Sequence, residues 1–145
     1  MRLVIVGLGN DGRSKVVELR EDLVGSGGDQ DHHEMLWETR ESPPEIPVPR
    51  RSPEDEIRNA GTTPGGSRWM VVSRPPGGDS GMHRTDTIDY DIIVSGEMTL
   101  VLEDGEIVLR PGDAVLIPGL AHRWVAGPEG CVFSIVLLGL NPLAD

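Results

Sequence analysis

From Arg68 to the C-terminus, the chain consists of short apolar runs that alternate with turn-forming residues. The runs are rich in Val, Ile and Leu, which are typical of strands, and their apolar residues follow no helical period. Asp104-Gly105 lies between two alternating runs, and such a pair is a strong signal for a hairpin. Many short strands at this spacing predict an antiparallel all-β sandwich or small barrel. The predicted strands are Trp69–Ser73, Thr87–Ser95, Met98–Leu102, Glu106–Leu109, Asp113–Ile117, His122–Val125 and Cys131–Leu138.

The length of the chain fits one domain. A chain of 145 residues with 37% hydrophobic residues can build a single core of ordinary size, but not two comfortable ones. Most of the apolar residues follow Arg68, whereas the middle of the chain is rich in Pro, Gly and charged residues. We therefore predict one domain over residues 1–145. It comprises N-terminal strands within 1–41, a loop or arm over 42–67 and the barrel core over 68–140.

The charge of the chain excludes several classes of partner. Its formal net charge is −11, so its surface repels both nucleic-acid phosphates and anionic lipids. Cys131 is the single cysteine, which excludes an internal disulfide, and the first apolar run is too short for a signal peptide or a membrane span. We expect a cytoplasmic protein that binds neither nucleic acid nor a membrane.

The N-terminal segment allows two interpretations. Residues 7–12, Gly-Leu-Gly-Asn-Asp-Gly, match the dinucleotide-binding pattern G-x-G-x-x-G. Such a site also needs a long helix and a second buried parallel strand. The residues after Leu19 are charged or glycine-rich and supply no such strand. We therefore predict a β-hairpin in which residues 10–12 form the turn.

Two motifs with regular spacing lie between Gly77 and His122. The first runs Gly77, five residues, His83-Arg84-Thr85, three residues, Asp89, six residues, Gly96. The second runs Gly112, five residues, Pro118-Gly119-Leu120-Ala121-His122. This spacing resembles the two motifs of the cupin superfamily, and in particular its small single-domain bacterial members with altered metal-binding motifs. The resemblance implies a double-stranded β-helix, or jelly-roll barrel, whose cavity holds a small-molecule site.

The resemblance also implies a metal site, from which the chain departs at several positions. Cupins usually hold one metal ion with three histidines and a carboxylate. Here Thr85 replaces the second histidine, Asp89 replaces a glutamate, and one residue is missing between Pro118 and Gly119. Two imidazoles and one carboxylate still form a donor set that iron enzymes use. Two alternatives remain open: His83, Asp89 and His122 hold one divalent transition metal (Fe, Mn, Ni, Cu or Zn), or the pocket is metal-free.

A metal-free pocket would still carry acid–base chemistry. If His83, Thr85 and Asp89 face inward, strand alternation also turns Asp91 inward. Carboxyl groups that are close together in a partly dry cavity raise each other's proton affinity. Such a set can move a proton between carbon and oxygen. The predicted catalytic residues are His83, Asp89 and His122, and the predicted pocket residues are Thr85, Asp91, Trp124, Met70, Met98 and Leu100.

These residues support an enzyme that acts on a small organic molecule, with its reaction unassigned. Dioxygenase, isomerase, dehydratase and decarboxylase activities are all known among cupins, so the fold alone does not select one. The alternative is a metal-free cupin that binds a small molecule without turnover. We also expect a homodimer, because small antiparallel barrels leave edge strands that a partner's N-terminal strand can cover.

Overall fold

The computed structural model describes residues 1–21, 37, 57–58 and 62–141. These residues form strands and contain no helix, as the pattern of short apolar runs predicts. No apolar helix of membrane-spanning length therefore occurs in them. The arm predicted over 42–67 lies for the most part outside the described residues. The strands are β1 Leu3–Leu8, β2 Ser14–Arg20, β3 Ile57–Arg58, β4 Ser67–Arg74, β5 Arg84–Thr85, β6 Thr87–Leu102, β7 Gly105–Leu109, β8 Ala114–Pro118 and β9 His122–Gly139.

One large sheet connects most of these strands. Its order is β2-β1-β8-β6-β9-β4, and β7 pairs with β6. The two short strands β3 and β5 pair separately. The long strands β6 and β9 are antiparallel along almost their whole length, from Thr87 opposite Gly139 to Leu102 opposite His122. This all-β architecture is the predicted jelly-roll barrel.

Two predicted pairs of strands are each one continuous strand in the structure. Gly96 does not end β6, because its φ of 76° allows the chain to form a β-bulge and continue. A Cβ atom at Gly96 would lie 2.1 Å from the carbonyl oxygen of Gly130, so only glycine permits this approach of β6 to β9. The prediction of separate strands was wrong because Gly96 in β6 and Gly130 in β9 bend these strands without ending them. The joined segments are Thr87–Ser95 with Met98–Leu102, and His122–Val125 with Cys131–Leu138.

The N-terminal hairpin is confirmed. Strands β1 and β2 are antiparallel, and in their turn the Gly12 N–H donates to the Gly9 carbonyl at 2.8 Å. Strand β1 also pairs with β8, in parallel, with Leu3 opposite Ala114. The chain's own N-terminal strand thus extends the sheet beside β8.

The hairpin predicted at Asp104-Gly105 is confirmed, with its turn one residue earlier. Leu102 pairs with Gly105, so Glu103 and Asp104 form the turn between β6 and β7. Gly105 follows with a φ of 108°, in the left-handed region that favours glycine.

Alternation along the strands creates two apolar layers. The larger cluster fills the barrel and includes Met98, Leu100, Trp124 and Phe133, with Met70 packed against it. The smaller cluster lies on the other face of the sheet. It consists of Leu3, Ile5, Ile88, Ala114, Leu116 and Leu140, and Tyr90 and Leu138 pack against it.

Candidate functional site

His83 and His122 lie side by side. Their backbones exchange two hydrogen bonds of 2.9 Å, from each N–H to the other residue's carbonyl. Their ring centroids are 4.5 Å apart, with the ring planes inclined at 55°. His122 is buried and His83 is partly exposed. The two histidines that end the predicted motifs thus form a direct pair, although they are far apart in sequence.

Both imidazole rings are held by the same local contact. Nδ1 of His83 lies 2.9 Å from the carbonyl oxygen of Gly81, and Nδ1 of His122 lies 2.8 Å from that of Leu120. Because a carbonyl oxygen only accepts hydrogen bonds, Nδ1 carries the proton and donates in both rings. In the neutral ring, Nε2 therefore has the lone pair.

The His122 ring packs against a row of two aromatic side chains. The Trp124 ring meets the His122 ring at 75°, with the centroids 5.8 Å apart, and Phe133 follows at 5.7 Å from Trp124. The backbone N–H of Trp124 donates to the Ser80 hydroxyl at 2.9 Å. The predicted pocket residue Trp124 is therefore a rigid apolar wall beside His122.

Two carboxyl groups are buried on the inward face of β6. Asp89 is 2% exposed and Asp91 is 1% exposed, while Ile92 faces the opposite side, as strand alternation predicts. The Thr87 hydroxyl donates to Oδ1 of Asp89 at 2.5 Å. Both carboxyl oxygens of Asp91 lack a hydrogen-bond partner within the described part of the chain. Two acidic groups thus lie close together with little polar support.

Burial shifts the protonation of both acids. Desolvation raises the pKa of Asp89 to about 7, against the opposing effect of the Thr87 and Thr85 hydroxyls. The Thr85 hydroxyl favours the charged form of Asp89 through its proximity, although it makes no hydrogen bond of normal length and angle. Desolvation, together with the charge of Asp89, holds the pKa of Asp91 well above its usual range. The pair therefore retains at least one proton near neutral pH.

The described residues do not fit a metal ion held by His83, Asp89 and His122. No three His, Cys, Asp or Glu side chains in residues 1–21, 37 and 62–141 converge in an arrangement that could hold one. The histidines form one pair and the aspartates form another. Thr85, at the position of a cupin histidine, supplies no imidazole between them. The roles of His83, Asp89 and His122 in a site stay a prediction.

Two residues near the site escaped the sequence analysis. Thr87 holds Asp89, and its place on the same strand face, two residues earlier, was the available signal. Arg84 is buried, and its guanidinium donates to the Gly119 carbonyl at 3.4 Å. It thereby braces the turn before His122, a long-range contact for which the sequence holds no local signal.

A protein-family model matches the part of the chain that forms the barrel. The model of the Cupin domain matches residues 70–137, which include β6, β7, β8 and most of β9. Residues 70–137 are a cupin domain. The cupin resemblance of the two motifs is thus confirmed.

The cupin domain has named fungal relatives. It is similar to the phomopsin biosynthesis cluster protein D of Diaporthe leptostromiformis, with 47% identity over 62 residues, which cover 42% of this chain and 33% of that protein. The chain as a whole is also similar to the cupin-domain-containing oxidoreductase fogC of Aspergillus ruber, with 30% identity over 129 residues, which cover 81% of this chain and 61% of that protein. The chain thus spans between a third and three fifths of the length of these two relatives.

Solved cupin structures are similar as well. A cupin-2 domain containing protein from Shewanella frigidimarina is 25% identical, with a TM-score of 0.44. The alignment covers 48% of this chain and 68% of that one.

Proposed function

We propose that the cupin domain belongs to an enzyme that moves a proton between carbon and oxygen atoms of a small organic molecule, in an isomerisation or a dehydration. The observation that carries this proposal is the pair of carboxyl side chains, Asp89 and Asp91, buried on one face of β6. A carboxyl group that titrates near neutral pH is suited to general base catalysis. A neighbour that remains protonated is suited to donate a hydrogen bond to a developing negative charge.

In the proposed step, the Asp89 carboxylate removes a proton from a carbon atom next to a substrate carbonyl group. The electron pair of the broken C–H bond moves toward the carbonyl oxygen and forms an enolate, and the protonated Asp91 donates a hydrogen bond to that oxygen. In a substrate with a carbon–carbon double bond next to the deprotonated carbon, return of the proton to the far carbon of that double bond completes an isomerisation. Loss of a hydroxyl group as water, with the proton held by Asp89, completes a dehydration. Both reactions balance without an oxidant or a cofactor.

The histidine pair has a separate role in this proposal. His83 is partly exposed and contacts the buried His122, so the pair extends from the surface toward the interior. Nδ1 of each ring donates to a backbone carbonyl, so a proton that passes through the pair would use Nε2. The pair would therefore exchange protons between solvent and the reacting molecule.

The lining of the barrel defines the class of substrate. Trp124, Phe133 and Met98 belong to the apolar cluster that fills the barrel. A largely apolar body with one carbonyl group would match these surroundings. Two similar proteins carry the names of phomopsin and oryzines biosynthesis clusters, which agrees with a small biosynthetic intermediate as substrate.

Hydrogen–deuterium exchange tests the proposal without the natural substrate. The probes are 2-tetralone and 4-hydroxy-2-butanone in D2O, followed by proton NMR. We expect the wild-type protein to accelerate exchange at the carbon next to the carbonyl group, with a rate that rises with pH and levels off above about pH 7 as Asp89 ionises. Asp89→Asn should reduce this rate by about 100-fold or more.

Asp86→Asn is the matched control, because Asp86 lies in the same segment and is less buried than Asp89. It should retain the wild-type rate. Equal rates in Asp89→Asn and wild type would refute the assignment of the base. Binding of the probes by wild-type protein without any exchange would instead indicate a binding protein without turnover.

A metal-dependent oxidoreductase is the second candidate. It is favoured by the similarity to cupin-domain-containing oxidoreductases, among them fogC and virC of Hypocrea virens. Elemental analysis of protein expressed in metal-replete medium separates the two candidates. One equivalent of Fe, Mn, Ni, Cu or Zn, lost in both His83→Ala and His122→Ala, would replace the acid–base proposal with this one.

A further inference from the structure

Four polar residues occupy alternate positions where β5 leads into β6. They are Thr85, Thr87, Asp89 and Asp91, and we call them the oxygen row. Thr87, Asp89 and Asp91 are at most 2% exposed, and the Oγ1 atom of Thr85 is also buried. The next residue in this alternation, Ile93, belongs to the apolar cluster that fills the barrel. The row is therefore a short polar stretch beside a largely apolar interior.

The two middle members of the oxygen row are hydrogen-bonded to each other, and the two outer members are not. The Thr87 hydroxyl donates to Oδ1 of Asp89 at 2.5 Å. Thr85 Oγ1 and both carboxyl oxygens of Asp91 have no hydrogen-bond partner within the described part of the chain. Along the chain, a buried polar group without a partner thus occurs on each side of Asp89.

The neighbouring strands do not supply partners for Asp91. The residues opposite it are Val115 on β8 and Ile135 on β9. Both are aliphatic and belong to the apolar cluster that fills the barrel. A buried polar atom that stays unpaired costs free energy, and folded proteins rarely retain one without a functional reason. The outer members of the oxygen row are therefore suited to bind polar groups of a ligand.

The order of the oxygen row matches the order of groups in a β-hydroxy carbonyl compound. In such a compound, the acidic C–H group lies between the carbonyl group and the carbon atom that carries the hydroxyl group. In the row, the proposed base Asp89 lies between Asp91, the proposed donor to the carbonyl oxygen, and Thr85. A threonine hydroxyl both donates and accepts hydrogen bonds, and so does a hydroxyl group of a ligand. Thr85 is therefore the member of the row that fits the hydroxyl group of such a compound.

We propose that Thr85 binds the hydroxyl group of a β-hydroxy carbonyl substrate and thereby selects dehydration over isomerisation. This role rests on the proposed function and narrows its substrate class. Asp89 takes the proton from the central carbon atom, and the resulting enolate forms a C=C bond as the C–O bond to the hydroxyl group breaks. The departing hydroxide takes the proton from Asp89 and leaves as water, which restores the carboxylate. Because the Thr85 hydroxyl is close to Asp89, a leaving group bound to Thr85 lies next to this proton.

The test compares 4-hydroxy-2-butanone with 2-butanone, which lacks only the hydroxyl group. Proton NMR in D2O follows deuterium exchange next to the carbonyl group of both compounds and the formation of but-3-en-2-one from the first. Thr85→Val keeps the branched shape, so on the plateau of the pH profile it should lower kcat/KM for dehydration by about tenfold and leave the exchange of 2-butanone unchanged. Thr85→Ser should retain dehydration. Thr99→Val is the matched control, because Thr99 lies between the barrel residues Met98 and Leu100 on β6 and faces the other side.

Two results with an active protein would overturn the role of Thr85. They are an equal loss for both compounds in Thr85→Val, and exchange of both by wild type without any but-3-en-2-one. Wild-type protein that exchanges neither compound would instead refute the acid–base function itself. Affinities from NMR titration of wild-type protein then decide whether Thr85 binds a hydroxyl group, and this measurement does not depend on the folding of a variant. Tighter binding of 4-hydroxy-2-butanone than of 2-butanone would support a hydroxyl site without turnover, and equal affinities would overturn it.

Discussion

Replacing Asp89 with Asn tests whether the acid at the centre of the site is a neutral group in the folded protein. Burial raises the pKa of Asp89 from its ordinary value of 3.8 to about 7. Between these two values the unfolded chain has an ionised Asp89 and the folded chain a protonated one. Folding therefore takes up a proton, and the contribution of Asp89 to stability falls as the pH rises.

The size of this effect follows from the two pKa values. Their difference, multiplied by about 1.4 kcal/mol per pH unit, corresponds to about 4 kcal/mol. Asn is neutral at every pH, has nearly the same shape, and can still accept the hydrogen bond from the Thr87 hydroxyl. Relative to wild type, Asp89→Asn should therefore gain about 1.4 kcal/mol per pH unit from about pH 4 to about pH 7, and little beyond.

The assay is urea unfolding of both proteins at several pH values, followed by tryptophan fluorescence. Taking the difference between the two free energies of unfolding removes the contributions of groups that do not interact with Asp89, and any constant offset from the amide does not alter the slope. Asp91 is the exception, because the charge of Asp89 raises its pKa, and this effect is confined to the pH range in which Asp89 is ionised. A difference that is independent of pH would refute the raised pKa of Asp89. A slope of the opposite sign would show that Asp89 is stabilised as a carboxylate by a nearby cation.

Two further predictions concern the frame around the site. Gly96→Ala should destabilise the protein by more than about 3 kcal/mol, because the new Cβ would lie 2.1 Å from the Gly130 carbonyl oxygen. Gly112 is the control, because it has a similar positive φ but nothing within 4 Å of a new Cβ. In thermal or urea unfolding, Gly112→Ala should lower the free energy of unfolding by only about 1 to 2 kcal/mol. Arg2→Ala should lose about 2 kcal/mol at pH 7, because Arg2 forms an ion pair with Asp113. Burial opposes the charge of Asp113, but hydrogen bonds from Arg2 and the Arg110 backbone keep its pKa below the usual value, so the loss should become smaller as the pH falls through this lowered pKa. A loss of equal size at both pH values would contradict the role of this ion pair.

Local patterns were sufficient to predict most of the fold. Alternation of apolar residues placed the strands, and the missing second parallel strand distinguished the N-terminal hairpin from a nucleotide site. The same alternation placed Asp89 and Asp91 together inside the barrel. The continuity of β6 was missed, because a glycine that ends a strand and one that forms a bulge have the same local signature. The close approach of Gly96 to Gly130 depends on pairing across the sheet, which no local pattern contains.

The candidate site was predictable in its residues but not in their grouping. Motif spacing selected His83, Asp89 and His122, yet it did not indicate that the histidines would form a pair of their own. The relative position of the two pairs depends on how β6 and β9 bend over their full length. The absence of partners for Asp91 in the described part of the chain is a further property of the packed interior. Whether a buried carboxyl group finds a hydrogen-bond partner depends on which atoms pack around it inside the barrel, and motif spacing does not predict this.

The bulge at Gly96 also lies between the part of β6 that carries the acids and the part that pairs with His122. On β6, Asp89 pairs with Leu137 on one side of the bulge, and Leu102 pairs with His122 on the other. The bend between these two pairings determines how the acid half of the barrel faces the histidine half. A one-residue insertion or deletion that is absorbed within this bulge would therefore change the distance between the acid pair and the histidine pair, while the side chains of both pairs stayed the same. Among relatives of this protein, the distance between these two pairs can thus diverge through backbone length alone.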